Sequence, residues 1–136
     1  MLACTVPEIM LSTAERWGGF QALADATACL VTDQNCIGFM GLLDGTVDIA
    51  YERDLLLPDA AAIVPILQSA GNVVTDHDGQ PVAFDATARD GEYLLMTAQR
   101  ELHCDAIAVH RQGVPRGNNR FHEAGHAKLG YVRKVN

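Results

Sequence analysis

A carboxylate at the mouth of an apolar run, Asp59, is the first candidate for chemistry in this chain. Asp59 follows Pro58 and opens a run of Ala60, Ala61, Ala62, Ile63, Val64, Ile66, Leu67 and Ala70. A carboxylate at the start of an apolar helix has two readings. The positive end of the helix dipole favours it by about 0.3–1 kcal/mol. Alternatively, it is a hard-oxygen ligand for a cation, held on a rigid element. Spacing alone leaves the dipole reading ahead.

Other patterns compete with Asp59. His122-Glu123-Ala124-Gly125-His126 fits the zincin spacing H-E-x-x-H, in which two histidines one helical turn apart bind zinc and the glutamate acts as base. Only ten residues follow it and Gly125 weakens the helix it needs, so it reads as a chance match in a tail. Leu43-Asp44-Gly45-Thr46 reads as a helix-ending turn. His103 and His110 lie seven apart on one helical run and are expected as solvated surface residues without a role. Cys4, Cys29, Cys36 and Cys104 show no metal-ligand spacing, and are expected as reduced, mostly buried thiols.

The elements that must position Glu52 and Asp59 follow from local pattern. Pro58 suits a first helical turn, since its missing N–H has no partner to lose there. The segment after it is apolar nearly all round, so it is expected as a helix packed on more than one side, kinked at Pro65. Gly71 stops it. Val73 to Thr75 is β-prone, and Asp76-His77-Asp78-Gly79 is a turn. Upstream, Val47 to Tyr51 is a strand that delivers Glu52. Cys36 to Leu43 is a buried helix, and Thr27 to Thr32 is a strand.

Further out, Ser12-Thr13-Ala14-Glu15 is a capping-box pattern. It should open a helix burying Trp17, Phe20, Leu23 and Ala24. Thr5 to Glu8 reads as a short helical start. After the turn at Gly79, Val82 to Phe84 reads as a short strand, and Ala88 to Gly91 as a turn. Tyr93 to Thr97 is a strand and Arg100 to Arg111 a helix.

Pro58-Asp59-Ala60-Ala61-Ala62-Ile63-Val64-Pro65-Ile66-Leu67-Gln68-Ser69-Ala70-Gly71 resembles the second signature of the inositol monophosphatase family. That signature runs Trp or Tyr, Asp, any residue, Ala-Ala, an Ile/Val-rich stretch, and Glu-Ala-Gly-Gly. The Ala-x-Val-Pro-Ile core looks most like histidinol-phosphatase-like members. The resemblance covers about residues 5 to 110, and only the C-terminal half of a family member. It implies that Asp59 ligates a catalytic Mg2+ and that Glu52 contacts the substrate. Gly45, Asp48 and Cys36 also match family positions. Gln34-Asn35 replaces the family's Gly-Asp beside the substrate, and Ile37 replaces an aromatic residue. The family's Glu-Glu and Asp-Pro-x-Asp-Gly-Thr metal elements belong to its N-terminal half and are absent here.

The resemblance implies an α/β fold: a mixed sheet of about five strands with helices on both faces. It implies a magnesium-dependent phosphate monoester hydrolase, incomplete in this chain and expected to be inactive alone. The alternative is a non-catalytic α/β module that dimerises or complements a partner chain.

Length and composition set outer bounds. The 136 residues suffice for one core, and 49% are apolar. No apolar run is long enough to span a bilayer, and no secretion signal is evident, so a cytoplasmic location is expected. Residues 1 to 110 hold four basic and sixteen acidic residues, net −12, whereas residues 111 to 136 are net +5. An acidic body argues against a nucleic-acid surface. It also repels a phosphate ester unless divalent cations bridge the two. The expected organisation is a half-domain over 1–111 and a basic tail over 112–136. Expected partners are a small phosphorylated metabolite, and either a second copy or a complementing N-terminal half.

Overall fold

A computed structural model describes residues 1–5, 14–34, 36–84 and 93–114. In chain order the elements are β1 (Leu2–Cys4), α1 (Ala14–Ala26), β2 (Leu30–Val31), α2 (Cys36–Asp44), β3 (Ile49–Leu55), α3 (Leu57–Ser69), β4 (Asn72–Thr75), β5 (Tyr93–Gln99) and α4 (Arg100–Gly113). They form a five-stranded sheet in the order β2-β1-β3-β5-β4. β1 pairs parallel with both β2 and β3, and β5 pairs antiparallel with β3 and β4. The sheet is therefore mixed, as expected.

The strands are apolar on both faces, so both faces need cover. Successive side chains alternate. Leu2, Cys4, Ile49, Tyr51, Met96 and Ala98 pack with Phe20 and Leu23 of α1 and Ala106 and Ile107 of α4. Ala3, Ala50, Val74 and Leu95 point the other way, against Phe39 and Leu42 of α2 and Val64 and Leu67 of α3. Period two in the strands and period three to four in the helices thus give two cores, one on each side of the sheet.

Helix termini follow local chemistry. Pro58 lies in the first turn of α3, and Gly71, with φ +90°, follows its C-cap Ala70. The helix runs unbroken through Pro65. Asp44 ends α2: its Oδ1 accepts from the Thr46 N–H at 2.9 Å and the Thr46 hydroxyl at 2.6 Å, with Gly45 at φ +79°. Leu43-Asp44-Gly45-Thr46 is thus a helix-ending turn, as its residues suggested.

Several expectations need correction. β1 was not read from the sequence. The strand expected over Thr27 to Thr32 shrinks to Leu30–Val31. Val82 to Phe84 forms no strand; a single bridge joins Thr75 to Pro81. β3 continues past Tyr51 to Leu55, so Glu52 lies inside the strand. α4 extends to Gly113, past the expected boundary at Arg111. Ser12-Thr13, Val6 to Glu8, Ala88 to Gly91 and the His122–His126 motif lie outside the described residues.

Candidate functional site

The strand connections mark one edge of the sheet. The chain leaves β1 toward α1 on one face, and leaves β2 and β3 toward α2 and α3 on the other. Where neighbouring parallel strands part to opposite faces, a crevice opens beyond their C-terminal ends, and ligands bind there in open α/β sheets. Thr5 follows β1, Asp33 follows β2, Glu52 lies midway along β3 but one residue past its last pairing with β1, level with Thr5, and Asp59 opens α3. Both residues singled out by the sequence therefore belong to this edge. Tyr51 faces α1 and α4, so Glu52, the next residue, faces the α2/α3 side.

Glu52 is 2% exposed. Its Oε1 accepts a hydrogen bond from the Thr5 hydroxyl at 2.8 Å. Burial pushes its pKa up to about 7, against a downward pull from the Thr5 hydroxyl and backbone. A carboxyl that titrates near neutrality can exchange a proton at working pH. Beyond Glu52 the β3–β5 register shifts and Asp54 takes φ +57°, so the strand bends before α3.

Asp59 is exposed in the first turn of α3. The helix N-cap Leu56 offers no side-chain acceptor, so orphan N–H groups and the dipole favour a negative charge there. Asp33, at φ +60°, donates its N–H to the Thr5 carbonyl at 2.6 Å and ties the β1 and β2 ends together. Gln34 Nε2 donates to the Thr32 carbonyl at 3.0 Å. Among the described residues no group of three or more His, Cys, Asp or Glu is placed to hold a metal ion. Asp59 fits the role of one oxygen ligand, but the described residues alone do not make a magnesium centre, which takes about six oxygens.

A cleft of about 480 Å3 lies at the opposite sheet edge. Leu42, Gly45, Asn72, Gln99 and Arg100 line it, and neither Glu52 nor Asp59 reaches it.

The histidines correct the sequence reading. His103 and His110 are buried, not solvated. With His77 they lie under α4 on the other face from Glu52. His77 stacks on Tyr51 with ring centroids 4.1 Å apart, and its Nε2 lies 3.2 Å from the Glu52 carbonyl. The Tyr51 hydroxyl lies 3.2 Å from His110 Nε2, and the Thr75 hydroxyl 3.0 Å from His103 Nε2. His77 Nδ1, His110 Nδ1 and Arg53 Nε are buried without a hydrogen-bond partner. Burial first, then the Arg53 charge, then His110, push His77 down to about 3. His110 is lowered by burial and Arg53, and His103 by burial. These imidazoles are held neutral. A helical spacing of seven put His103 and His110 on one face; what the sequence did not show was that this face is the inner one.

The four cysteines are free. Cys4 is buried and Cys29 half-buried, but Cys36 and Cys104 are exposed, so the expectation of mostly buried thiols fails for those two. No helix among the described residues is long and apolar enough to cross a membrane.

No protein-family model matches the sequence, and no curated protein matches it either. Solved structures do match. The fold is similar to an inositol monophosphatase from Zymomonas mobilis at TM-score 0.68 and 20% identity, covering 81% of this chain and 42% of that one. It is similar to the inositol monophosphatase from Anabaena (Nostoc) at TM-score 0.66 and 22% identity, covering 84% and 43%. It is also similar to the extragenic suppressor protein suhB from Bartonella henselae at TM-score 0.66 and 15% identity, covering 83% and 42%. The chain thus spans about two-fifths of the length of each. At these identities the likeness is one of fold, and this chain carries part of the inositol monophosphatase-like fold.

Proposed function

We propose that this chain is the C-terminal part of a magnesium-dependent phosphate monoester hydrolase of the inositol monophosphatase type, in its histidinol-phosphatase-like branch. Asp59 would be one ligand of the catalytic metal and Glu52 a substrate contact. The rest of the fold, on a preceding segment or a second polypeptide, would supply the remaining ligands. The substrate class is a small phosphorylated metabolite, and the location is cytoplasmic. The observation that carries this reading is positional. In a chain with this fold, Glu52 and Asp59 belong to the sheet edge where ligands bind, on the same side of the sheet.

Magnesium, when bound, would neutralise the phosphate that an acidic body otherwise repels. This chain's own residues supply position and a proton. Asp59 is held by a helix start preset by Pro58, and Glu52 is a buried carboxyl near half-protonation at neutral pH. The alternative is a non-catalytic α/β module, and it differs in what binds at this edge.

The test is amide NMR of the full chain with magnesium and inositol monophosphate or histidinol phosphate. Shifts at Thr5, Asp33, Glu52 to Asp54 and Leu57 to Ala60, absent in Asp59→Asn, are expected. No response at those residues sinks the phosphatase reading and leaves the module. Turnover by the chain alone is expected to stay at the magnesium blank. Robust hydrolysis lost in Asp59→Asn would show the site to be complete without further chain.

A further inference from the structure

A side chain from the turn after β4 reaches the Glu52 backbone from the far side of the sheet. β3 is loosely held just there. Its pairing with β1 ends where Cys4 meets Tyr51. Its pairing with β5 passes from Glu52 opposite Leu95 to Leu55 opposite Tyr93, so Arg53 and Asp54 face a single residue of β5. Asp54 takes φ +57° in this bulge. A bulge disrupts the ladder locally, and buried carbonyls beside it need other partners. For the Glu52 carbonyl, His77 Nε2 lies 3.2 Å away. A carbonyl only accepts, so Nε2 carries the proton. The neutral ring is then bare at Nδ1, the atom that is buried without a partner. The ring itself is confined. It is 4% exposed and stacks on Tyr51 with centroids 4.1 Å apart, while the His110 ring lies at 5.3 Å. The turn that carries it is fixed as well. Asp76 Oδ1 accepts from the Asp78 N–H at 2.9 Å and the Gln80 N–H at 2.8 Å. The Arg111 guanidinium donates to the Asp78 carbonyl from α4.

We propose that His77 is a positioning residue for the Glu52 carboxyl: its Nε2–H holds the Glu52 carbonyl, and with it the carboxyl on the opposite face and the bend of the chain toward Asp59. Carbonyl and side chain share one Cα, so fixing the first limits how far the second swings from the Thr5 hydroxyl, 2.8 Å away. The β1 ladder gives no such support past Tyr51, and the β5 ladder gives none between Glu52 and Leu55. A site is only as well ordered as the groups behind it. That Glu52 contacts a substrate rests on the phosphatase reading; that His77 sets the place of its carboxyl does not.

NMR of the full chain tests this, first without any variant. Long-range nitrogen-15 spectra of the imidazoles are expected to show His77 protonated at Nε2, and a proton on Nδ1 overturns the proposal. The Glu52 titration is then followed by carboxyl carbon NMR in His77→Phe and His77→Gln, with circular dichroism confirming the fold. Phenylalanine keeps a ring against Tyr51 and removes the donor, whereas the glutamine amide returns a donor near the Nε2 position. In His77→Phe the Glu52 carboxyl is expected to meet more water and to release its proton on the order of tenfold more readily, with His77→Gln recovering most of the change. An unchanged Glu52 titration in His77→Phe, or the same change in both variants, would leave His77 a packing residue and overturn the proposal. Amide shifts with magnesium and inositol monophosphate separate the two readings. Several-fold weaker binding in His77→Phe than in the native chain or His77→Gln is expected. No response from the native chain sinks the phosphatase reading, and the imidazole and carboxyl spectra still decide the role of His77.

Discussion

At the scale of single residues, the buried carboxyl and the buried imidazoles oppose each other. With its pKa pushed up to about 7, Glu52 keeps its proton in the folded state where the unfolded chain, titrating near 4.5, has lost it. Its contribution therefore falls as pH rises from 4.5 to 7, by at most about 1.4 kcal/mol per pH unit. His77, pushed from 6.5 down to about 3, does the reverse: the unfolded chain takes up the proton first, so stability is lost as pH falls below 6.5. His103 and His110 add to the acid-side loss. Urea denaturation of Glu52→Gln at pH 5 and pH 8 is expected to show a gain over the native chain at pH 8 that is smaller or absent at pH 5. An equal difference at both pH values would show that Glu52 does not titrate in this window. Thr5→Val removes the hydroxyl that donates to Glu52 at 2.8 Å. It should raise the Glu52 pKa further, read directly by carboxyl carbon NMR titration. Asp59 became a candidate ligand through the resemblance of Pro58, Asp59 and the apolar run behind them to a family signature. The burial of Glu52 was not legible, because nothing in Ile49 to Leu55 says where the strand ends.

At the scale of elements, packing between α1 and α4 is close enough to need glycine. A Cβ on Gly19 would collide with the His110 ring, and one on Gly113 with the Gly18 carbonyl. Gly18 and Gly19 looked like weaknesses in a helix; they are the points where a second helix approaches. Gly19→Ala is expected to cost about 1–3 kcal/mol by urea denaturation, since overpacking forces the imidazole or a helix to move. Ala22→Ser is half-buried on the same helix but adds only a hydroxyl. It should cost less. A loss at Gly19→Ala below that at Ala22→Ser would mean the helices separate freely. The same scale explains what pattern reading reached. α2 and α3 announced themselves through long apolar runs, and β4 and β5 through β-prone residues between turns. β1 is three residues long, too short for any periodicity to register. His103 and His110 were misplaced because α4 is polar by composition, and the inner stripe carries two imidazoles among its apolar residues.

At the scale of the molecule, the chain closes two cores around one sheet yet leaves its α2/α3 layer apolar toward solvent. The likeness to solved inositol monophosphatases over 42–43% of their length gives that asymmetry a simple cause: part of a larger fold is present. The mixed sheet with helices on both faces was legible through resemblance of one fourteen-residue segment. The proposed metal site offered the sequence a single candidate ligand, because a site assembled from distant segments leaves one carboxylate per segment. The central claim is that the sheet edge holding Thr5, Glu52 and Asp59 is one side of a divalent-cation site. Paramagnetic broadening of the amide spectrum by Mn2+ tests it most directly. Broadening confined to Thr5, Asp33 and Gln34, Glu52 to Asp54 and Leu57 to Ala60, and lost in Asp59→Asn, is the predicted result. Broadening centred on Asp44 and Glu101 at the opposite edge, or unchanged in Asp59→Asn, would contradict it.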